Sequence, residues 1–313
     1  MTEFELIQRY FAQAAAAQPH GADVSLGIGD DCALITPPMG QQLAISTDTL
    51  VSGRHFPVDT DAFSIGWKAV AVNLSDLAAM GATPHSVLLA LTLPDADAAF
   101  LAELSRGIFA QCQQHGVRLI GGDTTRGPCL SLTLTVLGWL PTGSAVCRHG
   151  AQVNDLIVVT GTLGDAAYAL RHPHSPLQHR LDRPEPRSTL GPRLRGVASA
   201  MLDVSDGLAQ DLGHILRASA LGAALIAEQL PLHPIVAALP LAERLSLALT
   251  GGDDYELCLT VAPHRLAELH AVADASQTPI TVIGQMTAQR GLRVLHHGQP
   301  VDMTLTGFLH FDR

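Results

Sequence analysis

Residues 43–50 read LAISTDTL and residues 63–80 read FSIGWKAVAVNLSDLAAM. Within the first run Leu43 to Thr47 reads as a strand, and its end carries three consecutive oxygen-bearing side chains, Ser46, Thr47 and Asp48. Alternation sends Ser46 and Asp48 to one face and Thr47 to the other. The second run places Trp67, Val70, Ala71, Leu74, Leu77 and Ala78 at i, i+3, i+4, i+7 spacing, which predicts a helix over about 63–80 with that stripe in the core. Asp76 falls opposite the stripe, beside Ala69, Val72, Asn73, Ala79 and Met80. Those neighbours are too small and apolar for solvated surface, so this face meets a cleft or a partner.

The alternation of strand and helix extends outward from this pair. Strand-like runs at 86–93, 117–120 and 130–140, with a helical pattern over about 96–115, complete an α/β unit. The turn Pro141–Thr142–Gly143 closes it. A second alternation starts with a strand at 156–160, continues through a helix after Asp206 and ends near Phe311. The expected fold is α/β (α+β) in two domains, 1–140 and 141–313, since single cores stop growing near 250 to 300 residues. Residues 172–186, HPHSPLQHRLDRPEP, lack periodicity and read as a surface loop, with His172, His174 and His179 a weak candidate metal set.

Of the 313 residues, 47% are hydrophobic and 15% charged, which excludes general disorder. The net charge of −10, with no basic block, repels nucleic-acid phosphates and anionic lipid, so neither partner is expected. The N-terminus has acids where a signal peptide has bases, and no apolar run approaches about 20 residues, which predicts a cytoplasmic protein. The cysteines, at 32, 112, 129, 147 and 258, are odd in number and form no C-x-x-C pair, which argues against a disulfide framework or a structural zinc site.

Acids flanked by glycine or hydroxyl residues recur at the ends of apolar runs: GIGDD (27–31), STD (46–48), NLSD (73–76), GGDTTRG (121–127), DVSDG (203–207) and GGDDYEL (251–257). Singly each is an ordinary turn or cap. Two carboxylates about 4 Å apart repel by about 4 kcal/mol at an effective dielectric near 20, so acids that converge need cations or protons. Magnesium fits, because it prefers oxygen ligands and couples carboxylates to phosphates. Lys68 is the only lysine and has no P-loop glycine spacing around it, and the protein-kinase, serine-hydrolase and zinc-protease motifs are also missing.

These segments, together with STDTLVSGRHF, KAVAVNLSDLAAMGA, VTGTLGDAA and RPEPR, resemble in order and over nearly the whole chain the motifs of the thiamine-monophosphate kinases. That family belongs to the aminoimidazole-ribonucleotide-synthetase-like superfamily. The resemblance implies a two-domain chain that dimerises through its N-terminal domains, with ATP and several Mg²⁺ ions in a cleft lined by them. It also implies magnesium ligands at Asp30, Ser46, Thr47, Asp48, Asp76, Asp123, Asp203 and Asp206, of which Asp48, Asp76 and Asp123 would be catalytic. Gly122, Asp123, Arg148 and Ser205 would contact ATP. His55, Asp253 or Asp254, and Phe308 would face thiamine monophosphate. The family's GGEDYEL reads GGDDYEL here, which shortens the first carboxylate by one methylene.

The acceptor so implied is a phosphate monoester whose second pKa is around 6, so transfer needs no strong base; positioning and charge neutralisation suffice. Alternatives are another ATP-using enzyme of the superfamily, a non-catalytic nucleotide or metal sensor, and a metal-dependent phosphatase. The selenophosphate and hydrogenase-maturation enzymes of the superfamily would carry a reactive N-terminal or a C-terminal cysteine, and this chain ends Phe311–Asp312–Arg313.

Overall fold

The computed structural model describes residues 2–18 and 23–303. The chain divides into two units. The first holds the described residues up to Leu77 and Ala82–Gly143; the second holds Ala78–Gly81 and the described residues from Ser144 on.

The first unit opens on short helical turns, α1 (Glu3–Leu6), a π-helical turn at Ile7–Ala12 and α2 (Gln13–Ala16). A two-stranded ribbon, β1 (Val24–Leu26) and β2 (Leu34–Ile35), follows. The main sheet is built from β3 (Gln41–Val51), β4 (Thr83–Leu93), β5 (Arg118–Arg126) and β6 (Ser131–Pro141), in the order β3-β6-β4-β5. Only β4 and β5 run parallel, and they are joined by the crossover helix that such a pair requires. That helix, α4 (Ala98–Gln114), is capped by Asp97, whose side chain accepts from the Ala99 and Phe100 N–H groups.

Helix α3 (Ala62–Ala79) lies against the face of the sheet that carries Leu89, Leu91, Leu132, Leu134 and Val136, all buried. Its burial is wider than a stripe: Lys68, Ala69, Val70, Ala71, Val72, Asn73, Leu74, Ser75 and Leu77 are all at most 2% exposed. One cause is backbone contact with α4. A Cβ on Gly66 would sit 2.2 Å from the Leu104 carbonyl oxygen and one on Gly107 2.0 Å from that of Phe63. The opposite face of the sheet is open on β3, where Leu43 is 41% and Ile45 61% exposed.

The second unit contains β7 (Leu156–Thr160), α5 (Asp165–Arg171), α6 (Gln178–Asp182), β8 (Ala200–Val204), α7 (Leu208–Ser219), β9 (Gly222–Ile226) and α8 (Pro234–Ala237). It continues with α9 (Leu241–Thr250), β10 (Glu256–Val261), α10 (Leu266–Ala275), β11 (Ile280–Thr287), β12 (Gly291–His296) and β13 (Gln299–Pro300). Its seven strands are ordered β13-β12-β9-β11-β7-β10-β8, with β9 and β12 parallel and the other pairs antiparallel. Strand β10 is buried along its length, sending Leu257, Leu259 and Val261 into one core cluster and Cys258 into another, as a central strand covered on both faces must. Among the described residues no helix is long and apolar enough to cross a membrane.

Residues 172–186 are not the loop expected. They contain α6, and Leu177 and Leu181 are each 2% exposed in a cluster with Ala166, Ala169, Val236 and Leu247. One helical turn between two leucines is too short to register as a period, and the prolines flank the turn without interrupting it. Leu181→Ala should therefore lower the stability of the second unit by about 2–4 kcal/mol, where a solvated loop would give almost no change. Denaturant unfolding followed by fluorescence and circular dichroism measures the difference.

Candidate active site

In the first unit the inner face of β3 meets the Asp76 side of α3. The Ser46 hydroxyl donates to the Asp76 carboxylate. The Asp48 backbone N–H donates to Asn73 Oδ1 at 3.1 Å, and the Asn73 amide in turn donates to the Ala69 carbonyl at 2.9 Å. Asn73 and Asp76 are three apart on the helix, so one turn of α3 fixes two positions of β3. Ser46, Asp48 and Asp76 are half-buried, and their side-chain donors are all oxygens. That donor set fits a hard cation such as Mg²⁺. Thr47 points to the other face, where its hydroxyl is 2.9 Å from that of Thr135.

The remaining sequence candidates of this unit lie apart from that group. Asp30 is exposed in the turn after β1, and its Oδ1 accepts from the Asp31 N–H. Asp123 is exposed on β5, across the sheet from β3. Its register partner is Ala90, which pairs with Thr133, which pairs with Thr49, so Asp123 shares the outer face with Thr49 and not the inner face with Asp48. Three strand spacings separate the two edges, roughly 14 Å. Gly122, beside it, has φ 151°, and a Cβ there would lie 1.9 Å from the Leu89 carbonyl oxygen, so no other residue fits. His55 is half-buried in the turn after β3, with Nδ1 accepting from the Val51 N–H at 3.0 Å. That bond fixes the tautomer and leaves the ring proton on Nε2.

In the second unit β8 runs into a tight turn. Asp203 is buried at the strand end, and the N–H groups of Ser205, Asp206 and Gly207 all donate to the carboxylate of Asp211, at 3.0, 3.0 and 3.1 Å. Asp211 is the residue that motif reading passed over. The signal was present as an acid in the first turn of the helix after Asp206–Gly207. Burial pushes its carboxyl up to about 7, helped by the charge of Asp206 and opposed by the three N–H donors. Asp206 accepts from the Gln210 amide at 3.1 Å. His214, one turn further along α7, is held below its usual range by burial and then by the charges of Arg217 and Arg148, with Asp206 opposing. Arg148, itself exposed, thus shares the surroundings of Asp206.

The segment Gly251–Tyr255 closes over this turn. The Asp253 N–H donates to the Ser205 carbonyl and the Tyr255 N–H to the Val204 carbonyl, both at 2.8 Å. Asp253 and Tyr255 have φ of 69° and 49°, and the Tyr255 hydroxyl donates to Asp253 Oδ1 at 2.9 Å. The structure therefore brings Ser205, Asp206 and Asp253 together with Arg148 nearby. Asp254 points the other way. It is 3% exposed, and its Oδ2 accepts from the Gly164 N–H at 2.8 Å. Next to it Glu256, with no exposed surface, accepts from Arg187 Nε and Nη2 at 2.6 and 2.5 Å, Arg180 Nη2 at 2.8 Å and the Thr160 hydroxyl at 2.6 Å. Phe308 lies outside the described residues. The weak histidine set is not assembled: His172 stacks on Tyr168 at 4.2 Å and His179 bonds the Pro176 carbonyl.

The family model of the AIR synthase related protein, N-terminal domain, matches residues 29–140, and that of the C-terminal domain matches residues 152–297. The chain belongs to the AIR synthase related family and, within it, to the thiamine-monophosphate kinases. It is 46% identical over 326 aligned positions to the thiamine-monophosphate kinase of Escherichia coli K12, covering 99% of this chain and 98% of that one. The crystal structure of thiamine-monophosphate kinase from Stenotrophomonas maltophilia K279a superposes with a TM-score of 0.87 at 46% identity, covering 96% of this chain and 98% of that one. A ThiL complexed with AMPPCP and TMP superposes with a TM-score of 0.77 at 27% identity, covering 88% and 89%. The chain is thus an enzyme, a phosphotransferase.

Burial, reinforced by Asp165 and Glu256 and opposed by the Gly164 N–H and Arg180, raises the Asp254 carboxyl well above its ordinary value. Between the ordinary carboxylate value and this raised one, the folded state keeps a proton that the unfolded chain has released, so stability falls as pH rises through that window. Asp254→Asn keeps an acceptor for Gly164 and removes the titration. Its stability relative to the parent should rise with pH, by up to about 1.4 kcal/mol per pH unit, in urea unfolding compared at pH 5 and pH 7.5.

Proposed function

We propose that the chain transfers the γ-phosphate of ATP to thiamine monophosphate, giving thiamine diphosphate and ADP, with Mg²⁺ held by the oxygen donors of the first unit. The observation that carries the reading is the group of Ser46, Asp48 and Asp76 on one half-buried face. The relatives' names and the neighbour that binds an ATP analogue with TMP support the substrates. When bound, Mg²⁺ neutralises phosphate charge and holds phosphate oxygens in place.

The residues of the chain have the following roles in this reading. Asp48 and Asp76 supply carboxylates whose positions Ser46 and Asn73 fix in advance; Thr47, turned to the other face, and Asp30, set apart in its turn, are not used. In the second unit Ser205 and Arg148 contact the nucleotide, and Asp203 and Asp206 are metal ligands of that unit. Asp253, and not the buried Asp254, faces the acceptor. An acceptor phosphate oxygen bonds to the γ-phosphorus in line as the bridging bond to ADP breaks. Because the acceptor is already ionised, no residue has to remove a proton. In this reading His55 orients substrate and is not a base: its Nδ1 is occupied by the Val51 N–H. The cytoplasm, which supplies ATP and keeps cysteines reduced, suits the chemistry.

An acceptor screen with labelled ATP and Mg²⁺ tests this. Thiamine monophosphate should be converted to the diphosphate, unphosphorylated thiamine should react far more slowly, and Asp48→Asn and Asp76→Asn should lose at least about 100-fold in kcat with unchanged circular dichroism. Equal transfer to thiamine, or parental rates in both variants, would overturn it.

We further propose a homodimer formed through the open sheet face of the first unit. Exposed Leu43 and Ile45 on that face need cover. Sedimentation at micromolar protein should show a dimer. Ile45→Asp should shift it to monomer and remove activity together; a monomeric but active parent would contradict this.

A further inference from the structure

At one end of the second sheet, outside every residue used above, the parallel strands β9 and β12 run out side by side. Their register pairs Ile226 with Leu295, so whatever follows each strand emerges at the same place. After β9 comes a 3₁₀ turn, Ala227–Gln229, which carries Glu228. After β12 comes a two-residue hairpin turn into β13, because His296 pairs with Gln299. The turn residues His297 and Gly298 have φ of 49° and 74°, the left-handed pair of a type I′ turn. Consecutive side chains on a strand point to opposite faces, but the positive φ at His297 returns its ring to the side of His296. The two ring centres are 4.2 Å apart.

Glu228 faces both rings. Its Oε1 is 3.0 Å from His297 Nδ1 and 3.9 Å from His296 Nε2, and one donor atom from each of the three residues lies within 4.8 Å of the others. Two donors bound to one first-row ion at about 2.0–2.1 Å sit about 3.3 Å apart in a tetrahedron, so small side-chain rotations bring the set to bonding distance. The His297 backbone N–H also donates to that same Oε1, which holds the carboxylate beside both rings. The histidines of 172–179, by contrast, form no such group.

We infer that Glu228, His296 and His297 form a binding site for a divalent first-row transition ion, of which Zn²⁺ is the best fit, distinct from the oxygen-only magnesium set of the first unit. Two imidazole nitrogens and one carboxylate are a borderline-soft donor set; it favours Zn²⁺, Cu²⁺ and Ni²⁺ and offers Mg²⁺ little. Three protein donors leave a fourth position for water. Glu228 and His297 are exposed and His296 is partly so, which leaves the ion a path from solvent. The bound ion would tie the β12–β13 hairpin, the edge of the seven-stranded sheet, to the turn after β9. Its chemical role there is a clamp, acting through mass action on the folded state.

The test uses the full chain, stripped with a chelator and titrated with Zn²⁺ against a chromophoric competitor, with Mg²⁺ as a control. The variants are His296→Gln, His297→Asn and Glu228→Gln; Asn tolerates the left-handed turn, so the hairpin is kept. The parent should bind one Zn²⁺ more tightly than any variant, each variant losing at least about tenfold in affinity. Zn²⁺ should raise the melting temperature of the parent and not of the variants, whose metal-free melting temperatures should match the parent. Co²⁺ in the parent should give visible absorption of a nitrogen- and oxygen-ligated site that the variants lack. Zn²⁺ affinity and the thermal shift unchanged in all three variants, or no binding by the parent, would overturn the assignment and leave Glu228 as a partner in an ion pair only.

Discussion

A carboxylate with no exposed surface stays ionised only if charge and hydrogen bonds surround it, and Glu256 imposes that requirement on the second unit. Arg187 meets it with a two-pronged bond and Arg180 with a third contact, while the Thr160 hydroxyl comes from the neighbouring strand β7. Despite its burial, these partners hold the Glu256 carboxyl below its ordinary value. Arg180 lies on α6, so the short helix and its two buried leucines exist where the guanidinium is needed. Glu256 also begins β10, immediately after the strained Gly251–Tyr255 segment. A fixed anion at that point holds in register the loop that presents Asp253 beside Ser205.

The first unit solves a different problem. Helix α3 is buried on nearly every side, and two of its polar side chains, Asn73 and Asp76, each accept a hydrogen bond from β3. The small residues around them let helix and strand approach closely enough for those bonds. The result is a group of oxygens held at fixed positions by the fold, which lowers the cost of gathering like charges.

What could be read from the chain follows the range of the interactions. Strand β7 has the bounds its apolar run indicated, and Ser46 and Asp48 share a face as alternation requires, because both depend on neighbours a few residues away. The two-domain α/β architecture and the family were legible because many motifs keep their order along the whole chain. The position of Asp123 was not, since a bulge between Val87 and Leu88 and the order of strands decide its face. Asp253 and Asp254 are adjacent and chemically alike, and only the backbone's left turn at 253 separates the outward acid from the buried one. The meeting of Glu228 with His296 and His297 depends on a parallel pairing of strands that are about seventy residues apart, which local pattern does not contain.

Of the 19 lysine and arginine residues, one is lysine, and Lys68 is 2% exposed within α3. The cationic surface of this protein is therefore guanidinium, whose charge does not change below about pH 12 and which ordinary acylation does not remove. Enzymatic acetylation of side-chain amines has almost no target while the fold is intact. Conversely, any acyl group found on Lys68 would record an opening of the helix that carries Asn73 and Asp76, so the sole ε-amine works as a chemical witness to the integrity of the bonds between that helix and β3.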